Sequence, residues 1–277
     1  MSKKQIFFIF GSILLIVLLF LANTKFSNKK GDAKLPENEG LVNANNDSLG
    51  FLVEQAKLSL NEVQRVAFDK MEGNLKASEP KEASFIQIIR FWDSLRRPAI
   101  AAYYKEKSAF VISTEENWLE AGNRYFSATR FVKETEKQML FIEAMACFNK
   151  TLEIAPNNVE AKINLGACYV EGSSDPMKGI GILREVEKID SNNINLQLNF
   201  AFFSGKSGQW DKAIARFNKV LKIQPDYIEA YLHLADAYEQ KGDKANAIIS
   251  LEKYSALIED VTIKAEVKSY IKKLMTG

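Results

Sequence analysis

The chain has 277 residues, 47% of them apolar and 26% charged, which allows one or two domains with a real core and excludes a wholly disordered or polytopic membrane chain. The balance of 37 Lys and Arg against 35 Asp and Glu leaves a net charge of +2, so no nucleic acid is expected as a partner. Two cysteines, Cys147 and Cys168, and a single histidine, His233, are too few for a Cys/His zinc site or a disulfide framework. Six Pro and fourteen Gly are few for the tight turns of an all-β chain, and an all-α fold is predicted.

The first element is Gln5 to Thr24, twenty residues without a charge between Lys4 and Lys25. As a helix it is ~30 Å long, about the hydrocarbon thickness of a bilayer. It has no polar face, so it is not a surface helix. The basic start suits both an uncleaved anchor and a cleaved signal peptide, but the small residues that cleavage needs are poorly placed: a cut after Ala22 leaves Phe20 at a critical position. The expectation is an N-terminal transmembrane helix (residues 1–24), with the lipid bilayer as partner through residues 5–24. Lys25, Lys29, Lys30 and Lys34 outnumber Lys3 and Lys4, which by charge counting puts the C-terminal side inside. The signal-like order of basic start and apolar run argues instead for export. A single-pass protein of a bacterial inner membrane, its larger part exported, is therefore expected.

Residues 25–46, rich in Asn, Lys and Gly, read as a flexible tether. Residues 47–114 read as a helical segment. Leu49, Leu52, Val53, Ala56, Leu60, Val63, Val66, Ala67 and Met71 recur at spacings of three and four, as one helix stripe requires. Phe85, Ile88, Ile89 and Trp92 share a face of a second helix, and Pro98 is placed to start a third through Ala99, Ala102, Tyr103 and Phe110. Trp92, Tyr103 and Tyr104, at helical spacing, read as core rather than as a ligand box.

The second half of the chain repeats. Gly179-Ile-x2-Leu183-x2-Val186, Ala213-Ile-x2-Phe217-x2-Val220 and Ala247-Ile-x2-Leu251-x2-Tyr254 start 34 residues apart, and a looser copy begins at Ala144. Ahead of each copy lies another helical stretch: Trp118-x2-Ala-Gly-x2-Tyr125, Leu165-Gly-x2-Tyr169, Phe200-Ala201 and Tyr231-x2-Leu-Ala-x2-Tyr238. Each unit is a helix hairpin too small to bury its own apolar face, so neighbours must stack. Gly122, Gly166 and Gly179 are expected where backbones approach closely. The final stretch, with Val267, Tyr270, Ile271 and Leu274 on one side, is expected to cap the open end.

This pattern resembles the tetratricopeptide repeat (TPR) family, whose unit of 34 residues reads Trp-x2-Leu-Gly-x2-Tyr, then Ala-x3-Phe-x2-Ala and a Pro. The resemblance implies a right-handed α-solenoid with four TPR units in residues 115–260 (115–156, 157–191, 192–225, 226–260) and a capping helix in 261–277. The first unit carries about ten extra residues between its helices, around Thr129 to Gln138, and Lys162 and Gln197 replace the leading aromatic. The resemblance does not cover 47–114, which leaves divergent repeat-like hairpins or a separate helical module.

In TPR arrays the first helix of each unit lines a concave face that takes a protein or peptide partner. Carried over by position, that face offers Asn123, Phe126, Asn164, Asn195, Asn199, Phe202, His233, Asp236 and Glu239. One TPR subclass clamps a C-terminal carboxylate between cations and asparagines. Asn123 and Asn164 match its asparagines, but Leu119, Asn195 and Asn199 stand where its cations belong, so this array is not expected to be such a clamp. The amides suit an extended peptide backbone, and the carboxylates favour a basic stretch.

No catalytic residue, cofactor site or metal site is expected. Ser204-Gly-Lys-Ser207 lacks the glycine and the strand of a phosphate-binding loop, and Gly179-Ile-Gly181 lacks the third glycine of a dinucleotide fingerprint. The predicted function is a membrane-tethered interaction module or scaffold, not an enzyme. The alternatives are a subunit or substrate dock of an enzyme or membrane complex, and a self-associating structural scaffold.

Overall fold

A computed structural model describes residues 39–77 and 82–276, and Asn45–Gly277 make one compact unit. Among the described residues there are thirteen α-helices and no strand. They are α1 (Glu39–Leu58), α2 (Glu62–Ala77), α3 (Glu82–Ser94), α4 (Pro98–Val111), α5 (Glu115–Ala128), α6 (Glu134–Ile154), α7 (Val159–Gly172), α8 (Pro176–Ile189), α9 (Ile194–Lys206), α10 (Trp210–Ile223), α11 (Ile228–Gln240), α12 (Lys244–Leu257) and α13 (Val261–Thr276). From α2 onward each helix packs against its successor, and α7 also touches both α5 and α9. This is the solenoid arrangement that the repeat requires.

The segment read as a membrane anchor, residues 5–24, lies outside the described residues, and none of the described helices is long and apolar enough to cross a membrane. Helix α1 starts at Glu39, so the last part of the stretch read as a tether is helical. The single stripe expected from Leu49 to Met71 is two helices. Asn61 and Gln64 form a reciprocal cap, the Gln64 N–H donating to Asn61 Oδ1 at 2.9 Å and the Asn61 N–H to Gln64 Oε1 at 3.1 Å. Such a box starts a new helix and shifts the buried phase. Phe68 is therefore in the core, while Val63 and Val66 are 80% and 66% exposed.

Helices α1–α4 close over an aromatic cluster. Phe68 meets Phe91, Trp92 and Tyr104 at ring separations of 5.3–6.1 Å, and Trp92 is fully buried. Its indole N–H lacks a hydrogen-bond partner among the described residues. Tyr103 lies at the edge of the same core. Phe110, expected on the apolar face of α4, is exposed and rests edge-on against Trp118 at 4.8 Å.

The repeat units pack through small residues. A Cβ on Gly179 would lie 2.3 Å from the Gly166 carbonyl oxygen, and one on Gly122 would lie 2.6 Å from the Phe148 ring. Thr114, Asn158, Asp175, Asn193 and Asp243 each cap the following helix through a side-chain oxygen. The extra residues of the first unit form a 3-10 turn (Thr129–Phe131) and lengthen α6 at its start rather than making a loop. Gln197, the departure from the leading aromatic, is fully buried yet satisfied. Its amide donates to the Ser191 carbonyl at 2.8 Å and accepts from Arg216, which also pairs with Glu187.

Three helix ends share one hydrogen-bond pattern. At the ends of α9 and α11, Gln209 N–H reaches Ser204 O and Asp243 N–H reaches Tyr238 O, with Gly208 (φ 71°) and Gly242 (φ 85°) at the left-handed position. At the end of α3, Arg97 N–H reaches Trp92 O and the left-handed residue is Arg96, at φ 56°. A side chain in that conformation costs roughly 1–2 kcal/mol, which glycine avoids.

Candidate functional site

Helices α5, α7, α9 and α11 carry the residues predicted for the binding face, which fall into separate groups. Asn123 on α5 and Asn164 on α7 are joined: Asn164 Nδ2 donates to Asn123 Oδ1 at 2.7 Å, and Asn123 Nδ2 donates to Glu160 Oε1 at 2.9 Å. This polar ladder crosses from one unit to the next. Each amide has used part of its capacity, leaving one N–H on each and the Asn164 oxygen for a ligand. Glu160 was not among the predicted residues. It belongs to the first turn of α7, ahead of the positions that the repeat pattern marks.

Asn195 and Asn199 do not extend the ladder. Asn199 Nδ2 donates to the Asn195 carbonyl at 2.8 Å, within its own helix. Phe126 is half-buried, 6.0 Å from Phe141, in a hollow of about 240 Å³ that Arg130, Lys137, Glu171 and Lys206 also line. The lysine of the rejected phosphate-loop pattern is here: Lys206 pairs with Glu171 at 2.9 Å.

The other end of the face is aromatic and acidic. Phe202 stands edge-on to His233 at 4.8 Å, and His233 lies nearly parallel to Phe217 at 5.6 Å. Burial lowers the His233 pKa, against the opposite pull of Asp236 and Glu229, so the ring is neutral at pH 7 and offers one donor and one acceptor. Asp236 is exposed, and with Leu232, His233, Glu239 and Tyr270 it borders a hollow of about 260 Å³. Tyr270, expected in the buried stripe of α13, is 41% exposed, and its hydroxyl donates to Glu239 at 2.8 Å. The period-34 pattern stops before α13 and gives no signal for this contact.

One run of helices thus carries amide ends, aromatic rings and carboxylates. Among the described residues no group of three or more His, Cys, Asp or Glu is placed to hold a metal ion. Cys147 and Cys168 are buried, and burial raises both thiol pKa values, which suppresses thiolate chemistry.

The fold is an α-solenoid, and its residues 206–260 match tetratricopeptide repeat models. The TPR repeat family matches residues 206–242 and the tetratricopeptide repeat family residues 228–260. Superkiller protein 3 of Schizosaccharomyces pombe is 24% identical over 255 residues, covering 80% of this chain; the chain spans only 18% of that protein's length. A tetratricopeptide repeat protein from Parabacteroides merdae is 16% identical, covers 85% of this chain and 88% of its own, and superposes with a TM-score of 0.53. YrrB, described as a TPR protein with an unusual peptide-binding site, is 19% identical, with 72% and 97% coverage and a TM-score of 0.42.

Proposed function

We propose that the array is a non-catalytic interaction module that takes an extended segment of a partner protein along α5, α7, α9 and α11. The observation that carries this reading is the Asn123–Asn164 ladder, which spans adjacent units and retains amide groups suited to a peptide backbone. The rings of Phe202 and His233 supply apolar anchoring, and Asp236 and Glu239 favour a basic stretch at that end of the peptide. The uncharged run from residue 5 to residue 24 supports a bilayer tether, and its signal-like start supports an exported array in a bacterial inner membrane.

The test is a peptide array probed with the full chain, wild type, Asn164→Ala/Asn199→Ala and Asp236→Asn/Glu239→Gln. Basic peptides should be retained by the wild type and weakened about tenfold by the loss of both carboxylates. The Asn164→Ala/Asn199→Ala variant should weaken all groove peptides, whatever their charge. Indifference to both double substitutions would reject this face. Protease access to the array in intact cells tests the orientation, and degradation only after the membrane is breached from the cytoplasmic side would reject export.

A further inference from the structure

Away from the repeat face, α1, the α3–α4 turn, the 3-10 turn and the start of α6 enclose a pocket of about 270 Å³. Its apolar wall includes Leu52, Ala56, Ile100 and Val132, and Arg96 and Arg97 stand at it together. Both arginines are exposed, and neither guanidinium has an acidic partner among the described residues, although Glu136 also lines the pocket. The helix that starts beside them, α4, has no side-chain cap, so its amide dipole adds to the positive potential. Phe131, on the 3-10 turn, is 74% exposed and lines the same pocket.

Arg96 holds the left-handed position that glycine holds at the ends of α9 and α11. The backbone conflict at Arg96 has no counterpart in packing, because the side chain is exposed and unpaired. A local conflict of this kind marks a residue kept for something other than stability.

We infer that this pocket is a second binding site, which takes an acidic peptide segment: one apolar side chain seats against Leu52, Ala56, Ile100 and Val132, and a neighbouring carboxylate is bound by Arg96 and Arg97. The volume suits a single aliphatic or aromatic side chain and lies below the usual range for a whole small-molecule ligand. The free guanidiniums give the charge complementarity, since a carboxylate accepts from both in a forked geometry. Phe131 adds contact for the residues that flank the seated side chain.

The experiment uses the full chain and fluorescein-labelled peptides with a Gly/Ser frame that carries Leu or Phe followed by Glu-Glu or by Gln-Gln. Wild type should bind the Glu peptides about tenfold more tightly than the Gln peptides, and Arg96→Gly/Arg97→Gln should abolish that difference. Arg96→Gly alone should raise Tm by about 2–4 °C while weakening the Glu peptides, which separates loss of binding from loss of folding. Asn164→Ala/Asn199→Ala should leave these peptides unaffected, so failure here and failure of the repeat face are read separately. No preference for Glu over Gln, or a preference that survives Arg96→Gly/Arg97→Gln, overturns the assignment. Binding of anionic phospholipid vesicles through the same arginines, without selection among peptides, would overturn it in favour of a lipid surface.

Discussion

Helices α1–α4 and helices α5–α12 close their interiors with different chemistry. The first region fills wide gaps with rings, Phe68, Phe91, Trp92 and Tyr104. The second brings backbones together at glycines, so that Gly166 and Gly179 leave no room for a methyl group. A ring cluster tolerates many arrangements of large residues in sequence. Backbone contact demands a small residue at one place in every unit, and that demand is what makes a period visible.

The comparison breaks most sharply at Trp92. Trp92→Ala should cost about 3–5 kcal/mol, because it empties the centre of the ring cluster. Thermal unfolding followed by far-UV circular dichroism should show a lower Tm, and an unchanged Tm would mean that α1–α4 do not share one core. The repeat side carries its own penalty in a buried acid. Burial, with Glu106 adding to it, raises the Glu143 pKa from 4.5 to about 7. Between those values the folded chain keeps a proton that the unfolded chain has released, so stability falls as pH rises through this window and levels off above it. The full effect is on the order of 3 kcal/mol. Urea unfolding at about pH 5 and about pH 8 should show this fall in wild type, and Glu143→Gln should reduce it, since burial also raises the neighbouring Glu106 carboxyl and leaves a fall in the same direction. A slope unchanged by the variant would assign the effect elsewhere.

A smaller loss tests the backbone contact. Gly179→Ala should destabilise by about 1–3 kcal/mol, since the added carbon meets a carbonyl and not a flexible side chain. Gly181→Ala, which has open space around its Cβ position, should be neutral or slightly stabilising, by up to about 1 kcal/mol. Equal effects at the two glycines would remove the close-approach account of the repeat. The smallest effect belongs to the N-terminal region: Asn61→Ala removes one half of the cap of α2 and should cost about 1 kcal/mol, read as a shift in the urea midpoint.

Much of this fold could be read from residues alone because the small positions recur 34 residues apart. The break in the first stripe was missed for a physical reason. Apolar spacings of three and four continue across Ser59–Asn61, so periodicity alone does not see two helices. The signal that does is the Asn61 and Gln64 cap. The binding face was legible in part. Position in the repeat marked Asn123 and Asn164, but their mutual hydrogen bond joins residues 41 apart, an offset that the longer first unit sets. The Arg96–Arg97 pocket had no sequence signal, because it is built from elements of both regions.

The last helix has a kinetic consequence. Ile271 is the one buried side chain of α13, so this helix opens without disturbing the hairpins beneath it, and its amides should exchange with solvent well before those of α5–α8. Opening withdraws the Tyr270 hydroxyl from Glu239 and uncovers Ala235 and Leu251, the buried residues that cluster with Ile271. The hold of α13 on the array thus rests on one buried side chain and one hydroxyl–carboxylate bond, and the helices it covers are expected to outlast it.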